Sequence, residues 1–534
     1  MKTKRLFAVA LISLLASASF FGCNSDTPAS SSGSSSEGSS TAGTSSGSLL
    51  TDGDFANIDM SEEVELVISV FGSTTPADLE MINEEVSKLT KEKINCTVSL
   101  QIMANPQQQY SLVLSTGEPI DLIWSATWNN CWNYCKQGAY LDITDMVNNQ
   151  FPELKEMIGA DRWDSISVNG SYYLIPTNNS EEISNWAQWG VVWREDLRKA
   201  MGCEEITDIE SMEAYAQAIL ENQSGMIPFY DSPSGGLWHT MLESEHIYTE
   251  FGGPTNTLCL NLDTKEIEDY ITLDCVREFA ERQRRWVTNG YVQPDISSST
   301  DTGPSGVLSG KYTGSMDVGL STFVSSYLAP ISAAHPDWEL GYMNYGVMFD
   351  YAYENSPAMN GVAIPKAAPN PERALAFLEL LMTDDDVYRL YDCGIEGTHY
   401  EVDENGYYHS LQGEAVTYGR ENVWLTGYYI NKDAKLHTED DQWALDYVEN
   451  EMRPRAVENF WQAFPYDISD YSEYSTACNN ILTQYWNPLL TGATDDIDGT
   501  FTALEEGMQA NGMDVIRESI QEQWDAYAAE KGLE

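Results

Sequence analysis

The sequence predicts an α/β fold divided into more than one lobe, on three observations. Its 534 residues exceed what one hydrophobic core organises. Strand-type alternation is followed by helix-type periodicity again and again, which is the grammar of a sheet flanked by helices. That grammar then restarts near residue 190. Hydrophobic residues at 42% and aromatics at 11% supply enough apolar surface to pack such bodies.

The N-terminus is not part of that body. Lys2, Lys4 and Arg5 precede an apolar run from Leu6 to Phe21, the layout of a secretory signal, assigned to residues 1–22. The run is short for a bilayer-spanning helix. Phe20-Phe21-Gly22-Cys23 resembles the bacterial lipobox, with Phe20 where Leu is usual and Phe21 where a small residue is usual. The resemblance implies that Cys23 becomes the diacylated N-terminus; a plain signal peptide ahead of a free Cys23 is the alternative. Asn24 to about Gly53 is rich in Ser, Gly and Thr and has too few apolar residues to bury. Residues 23–60 therefore read as a lipidated cysteine and a flexible tether, about 30 residues of which reach roughly 30 Å as a random coil.

The folded body starts with a strand at Val64, Leu66, Ile68 and Val70 that ends at Gly72. Pro76 opens a helix to about Lys93, with Leu79, Ile82, Val86 and Leu89 on one face. Val98, Leu100 and Ile102 form the next strand, and Ile120–Trp124 a buried one. This alternation implies a largely parallel sheet. The second round begins with the strand Val191–Trp193, the helix Glu195–Met201 and a further helix over Ser211–Ile219. Val362–Ile364 is a strand leading to Asn370-Pro371, an N-cap with Pro at the first helical position, and Leu375, Leu378 and Met382 share a face of that helix. Asn405-Gly406 centres a hairpin over Glu401–Tyr408, and Val515–Lys531 is a closing helix.

Charge and cysteines restrict the partners. A formal net charge of −55 repels nucleic-acid phosphates and anionic lipid surfaces alike, so nucleic acid is excluded and membrane attachment falls to the lipid. The acidity itself reads as solubility. Eight cysteines besides Cys23 are scattered; Cys131 and Cys135 are four apart and make no C-x-x-C pair. They read as small buried hydrophobes, with a disulfide between some pair left open.

Enzyme and metal motifs fail on context. Gly43-Thr44-Ser45-Ser46-Gly47 matches a serine-hydrolase elbow but sits in the tether, with no strand before it and no helix after it. Gly310-Lys311 is followed by Tyr312 where a phosphate loop needs Ser or Thr, and position 305 is Ser where it needs Gly. Six histidines are dispersed without H-E-x-x-H, so no zinc site and no cofactor is expected. Thr494, Asp496, Asp498, Gly499 and Glu505 fall at calcium-loop positions, but Thr replaces the first Asp and Pro488 and Gly492 interrupt an entering helix. The simpler account is an acidic helix start capped by Asp498 or Thr500.

An ordered set of short matches then carries a family resemblance. It comprises Pro76–Met103, Gly117-Glu118-Pro119-Ile120-Asp121-Leu122-Ile123, Gly138-Ala139-Tyr140-Leu141-Asp142-Ile143 and Val191-Val192-Trp193-Arg194-Glu195-Asp196-Leu197. Asn360-Gly361-Val362-Ala363-Ile364, Asn370-Pro371-Glu372-Arg373-Ala374 and Gly394-Ile395-Glu396-Gly397-Thr398-His399-Tyr400 continue it. Over most of residues 60–530 the chain resembles the extracellular solute-binding lipoproteins of carbohydrate ABC importers, in their large Gram-positive form. The resemblance implies a two-lobed periplasmic-binding-protein-like α/β fold with a hinge and an interlobe cleft that closes on a sugar or oligosaccharide. It also implies ABC permease subunits as partners, a place on the extracellular face of the cell membrane, and no catalysis. On that pattern lobe 1 takes residues 61–180 and 300–355, and lobe 2 takes 181–299 and 356–534 with the C-terminal helices. Crossings are expected near Ile175–Asn185, Asp295–Pro304 and Ser356–Gly361.

Sugar rings stack on aromatic faces and need donors and acceptors for their hydroxyls. Candidate ligand-binding residues follow from that chemistry. Trp124 and Trp128, with Trp132, lie at spacing four after a buried strand, on one helical face or one loop. Trp186 and Gln188 stand at the first crossing, and Tyr230 and Trp238 flank a Ser/Gly/Pro loop. Asp317 and Tyr345 fall where the chain is expected to return to lobe 1, Asn360 at the third crossing, and Trp424 in a cluster with Tyr428 and Tyr429. Two rival functions remain: a secreted glycoside hydrolase, for which 83 Asp and Glu residues make accidental carboxylate pairs plentiful, and a binding protein for peptides or another polar solute.

Overall fold

Alternating apolar residues make Val64–Phe71 an inner strand (β1) of the first sheet, its Leu66, Ile68 and Val70 fully buried. The computed structural model describes residues 55, 57–72, 74–103, 106–177, 183, 186, 189–232, 235–248, 257–413, 416–419 and 434–533. The remaining strands in chain order are β2 Cys96–Met103, β3 Leu122–Ala126, β4 Leu174–Pro176, β5 Gly190–Arg194, β6 Ile247–Tyr248 and β7 Leu258–Asn261. They are followed by β8 Ile267–Asp269, β9 Gly314–Val318, β10 Leu340–Asn344, β11 Asn360–Ala363, β12 Tyr400–Val402 and β13 Tyr408–Ser410.

The first lobe is a five-stranded sheet in the order β2-β1-β3-β11-β4. β1 runs parallel to β2 and β3, as the strand–helix alternation predicts, while β11 returns antiparallel between β3 and β4. The helix Leu79–Ile94 buries Leu79, Ile82, Val86, Thr90 and Ile94 against it and ends at Asn95 in the left-handed region. It starts three residues after Pro76, since the Asp78 carboxylate turns to His399 (3.3 Å) instead of capping. Asn370 likewise does not cap the helix Pro371–Thr383. Its N–H donates to Asp121 (2.8 Å) and its amide to the Glu65 carbonyl (3.3 Å), tying that helix to the sheet. β12 and β13 form the expected hairpin, with Gly406 at φ +88°.

The second lobe is built on an antiparallel sheet, β10-β5-β9, beside the small sheet β6-β7-β8. This departs from the parallel expectation. β5, β9 and β10 come from distant stretches of chain, so no short strand–helix–strand crossover constrains their direction. The expected assignment of 300–355 to the first lobe also fails: β9 and β10 pair with β5, and Val307, Phe323 and Tyr342 pack with Val192. Conversely β11 and the helix Pro371–Thr383 belong to the first lobe. Among the described residues the lobes are therefore residues 55–177 with 358–437, and 183–353 with 439–533.

The chain leaves the first lobe after Thr177 and returns between Tyr353 and Ala358. It leaves again between His437 and the helix Glu439–Tyr447, whose Ala444 is in second-lobe packing. The stretch Asp295–Pro304 is no crossing, as Ile296 and Val307 both pack in the second lobe. The tether ends earlier than residue 60, because Phe55, Ile58 and Met60 are buried against the first-lobe core and Arg373 holds the Asp59 carbonyl at 2.7 Å. The signal segment, Cys23 and the rest of the tether lie outside the described residues. Among the described residues no helix is long and apolar enough to cross a membrane. The eight remaining cysteines are free thiols, six of them buried.

Candidate functional site

Two strands of chain join the lobes side by side. Thr177 N–H donates to the Asn360 carbonyl (3.1 Å) at the first-lobe end, and Trp186 bridges Glu354 at the second-lobe end. β3 delivers its C-terminal end to this junction, where Thr127 N–H donates to the Met359 carbonyl (3.3 Å). The chain then turns through Thr127–Asn129, breaks at Asn130 (φ +59°) and enters the helix Cys131–Lys136. With Trp124 in β3 and Trp132 in the helix beyond the break, these two do not share one helical face.

Some buried polar side chains without hydrogen-bond partners among the described residues lie near the junction, and others lie in the lobe cores. Asn129, 1% exposed, has neither its amide oxygen nor its amide nitrogen hydrogen-bonded, and the indole N–H groups of Trp186 and Trp461 are also unpartnered among the described residues. Each such group costs about 1–3 kcal/mol while it lacks a partner. Trp186 lies under the Arg453 guanidinium (5.6 Å), which pairs with Glu354 at 3.1 Å. Trp461 packs edge-on against Tyr353 at 5.6 Å, and the next residue, Gln462, accepts from the Ser356 N–H of the second joining strand (2.8 Å). Asn129 and Trp461 escaped the sequence reading, since nothing local marks an asparagine in a turn or an indole in a loop as facing a junction.

A second cluster surrounds the loop that runs into the helix Gly236–Ser244. Asp317, held at φ +56°, accepts from Gly236 N–H (2.8 Å) and Leu237 N–H (2.9 Å), so its carboxylate caps that helix. A Cβ on Gly236 would stand 2.8 Å from the Trp189 ring and 2.9 Å from Asp317 Oδ1, which restricts the position to glycine. Asp231 is buried; its Oδ2 accepts from Gln283 Nε2 (2.5 Å) and its backbone is clamped by Gln293. Burial, and then the charge of Asp317, push the Asp231 carboxyl up from 3.8 to about 8. At neutral pH Asp231 is thus a neutral acid, a donor as well as an acceptor.

The sequence-predicted site residues fall into three groups. Gln188, Trp424 and the side chain of Trp128 lie outside the described residues. Trp186 and Asn360 are at the junction, Asn360 opening β11 opposite Ala126. The rest have packing or capping partners. Trp124 is in the first-lobe core with its ring 5.4 Å from Phe71. Tyr230 donates to the Asp301 carbonyl (3.1 Å) and stands edge-on to Tyr312. The expectation that Trp238 walls a cleft is corrected: it is 3% exposed and packs among Tyr270, Phe279 and Trp486 in the second-lobe core. Asp317 and Tyr345 do not return to the first lobe; Tyr345 is fully buried in the second, its hydroxyl accepting from Asp317 N–H at 3.3 Å.

The calcium-like stretch is a helix start. Asp496, not Asp498 or Thr500, caps the helix Ile497–Ala510 by accepting from Gly499 N–H (3.0 Å). Asp495 and Asp498 are ion-paired with Arg284 and Arg277. A groove of about 520 Å³ lies between Asp208–Glu213, Glu278–Arg285 and Met348–Phe349, and none of the sequence-predicted site residues lines it.

Comparison with known proteins gives one family model, one sequence relative and two solved structures. A family model described as "Domain of unknown function (DUF3502)" matches residues 461–529, the segment that carries Trp461 and most of the C-terminal helices. The "Carbohydrate ABC transporter substrate-binding protein" of Streptococcus pneumoniae serotype 4 (strain ATCC BAA-334 / TIGR4) is 20% identical over 474 residues, covering 85% of this chain and 89% of that one. The crystal structure of the N-glycan transport solute binding protein NgtS from S. pneumoniae superposes with a TM-score of 0.69 at 17% identity, over 88% of this chain and 100% of that one. FusA, an S. pneumoniae ABC-transporter substrate binding protein in complex with kestose, gives 0.61 at 13% identity over 87% and 100%. The chain has the two-lobed α/β fold of these solute-binding proteins.

Proposed function

We propose that this chain is the extracellular substrate-binding component of an ABC importer, and that it captures a sugar or oligosaccharide by closing its two lobes around it. The observation that carries the reading is similarity along 85% of the chain to a protein named as a carbohydrate ABC transporter substrate-binding protein. The unpartnered indole and amide groups at the junction support it chemically, because hydroxyl-rich ligands supply the acceptors and donors those groups lack. In this reading the chain performs no catalysis, hands its ligand to permease subunits, and is held to the outer face of the cell membrane by lipid on Cys23.

Isothermal calorimetry of the purified protein against Man5GlcNAc, kestose and a mixed tripeptide library tests the ligand class. Saturable heat with an oligosaccharide is expected. Saturable peptide binding without any sugar response would overturn the ligand class, and release of shortened glycan would overturn the non-catalytic role. Cys23→Ser should release the protein from cells into the medium; continued membrane retention refutes the lipid anchor.

A further inference from the structure

The C-terminal helix Met513–Lys531 carries two parallel stripes, each stepping by four residues. Ile516, Ile520, Trp524 and Ala528 are buried in the second-lobe core. Ser519, Gln523, Tyr527 and Lys531 form the neighbouring stripe, and this one reaches toward the first lobe. Lys531, its side chain only 17% exposed, donates to the Asp164 carbonyl at 3.1 Å and stands 3.6 Å from the Asp164 carboxylate. Ser519 and Gln523 line a polar cavity of about 240 Å³ together with Asp467, Asp470, Tyr471 and Lys136 of the first lobe. Lys136 in turn donates to the Pro465 carbonyl at 2.6 Å. Gln523 fixes that acceptor loop to the helix, accepting from Asp467 N–H (2.7 Å) and donating to its carbonyl (2.8 Å).

Each lobe thus contributes one lysine, and each lysine is caught by a carbonyl of the other lobe. Among the described residues no buried apolar cluster contains residues of both lobes. An apolar interface would seal the lobes together, whereas a polar one separates at little cost because water replaces its hydrogen bonds. A chain with 28 basic against 83 acidic residues has placed two of its few lysines at this seam.

We propose that the seam between the C-terminal helix and the first lobe is a separable clasp, in which Lys136 and Lys531 hold the lobes together before any ligand arrives. The inference rests on the reading of two lobes that close on a ligand, and it deepens that reading by naming what biases the empty protein toward closure. Two exposed-to-half-buried charge-assisted contacts shift a closed-to-open ratio by about ten-fold, or about 1.4 kcal/mol.

Small-angle X-ray scattering of the ligand-free protein tests the clasp. Lys136→Ala/Lys531→Ala is expected to increase the radius of gyration and lengthen the tail of the distance distribution, with the Lys→Arg pair restoring the compact profile. Arg517→Gln, which removes a pair with Asp514 on the same helix away from the seam (2.6 Å), should leave the profile unchanged. Raising salt from 50 to about 500 mM on the wild type should open it in the same direction, since screening shortens the reach of charge. A double alanine variant with wild-type melting and wild-type scattering overturns the clasp. Should that variant fail to fold, a wild-type profile unmoved by salt overturns it equally. No sugar is present in these measurements, so their outcome is separate from that of the oligosaccharide titrations.

Discussion

Replacing Asp231 by Asn probes a carboxyl whose ionisation opposes folding. In the folded protein, burial and Asp317 raise this group from 3.8 to about 8, so between those values the folded state holds a proton that the unfolded chain releases. The sign follows directly: where the native state binds more protons, stability falls as pH rises, by about 1.4 kcal/mol per pH unit for one group. From pH 5 to pH 7 the raised Asp231 carboxyl therefore lowers stability by a few kcal/mol, on the order of one for each pH unit. Asn keeps an acceptor for Gln283 Nε2 while removing the titration. Urea unfolding of wild type and Asp231→Asn at pH 5, 6 and 7 reads the titration of the Asp231–Asp317 pair, the groups outside that pair being common to both proteins. The variant should gain on the wild type by about 1.4 kcal/mol per unit. A stability difference that stays constant from pH 5 to 7 would refute the reasoning.

Three further perturbations probe packing, tethering and recognition. Gly236→Ala should cost about 2 kcal/mol in the same urea assay, since the new methyl meets the Trp189 ring at 2.8 Å and Asp317 Oδ1 at 2.9 Å; wild-type stability would refute the close approach. Arg373→Met should cost about 3 kcal/mol, because the carbonyls of Ile94, Asn95 and Asp59 lose a common donor at 2.6, 2.8 and 2.7 Å. Limited proteolysis should then cut near residues 55–63, and a cleavage pattern like that of the wild type counts against the anchoring. Trp186→Phe and Trp461→Phe keep a ring but remove the indole donor, and each should weaken oligosaccharide binding about ten-fold with little change in melting. Unaltered affinity in both shows that the indole N–H groups do not read the ligand.

Local order was legible in the chain where one face of an element is buried and the other is wet. β1, the helix Leu79–Ile94, β2 and the Asn405-Gly406 hairpin carry their period or turn chemistry in adjacent residues. Lobe membership was not legible, because β9 and β10 join β5 through long-range pairing that leaves no local trace. The same limit explains Trp238. An indole after a Gly-Gly turn looks alike in sequence whether it faces a cleft or, as here, Tyr270 and Trp486. Capping was misplaced where the candidate side chain had a stronger tertiary partner, as Asn370 has in β1.

The interleaving of the two lobes along the chain sets an order of assembly. Synthesis delivers β1, β2 and β3 early, but Ala126 pairs with Asn360 and Ile123 with Ala363, so the inner edge of that sheet stays open until nearly the whole second sheet has been made. An open edge next to fully buried residues such as Leu122 and Val362 is a template for wrong pairing with another chain. Truncations ending anywhere between residues 130 and 355 should therefore aggregate rather than yield a free first lobe. Neither lobe is excisable as one continuous fragment, and the N-terminal half must be kept from self-association while it waits for β11.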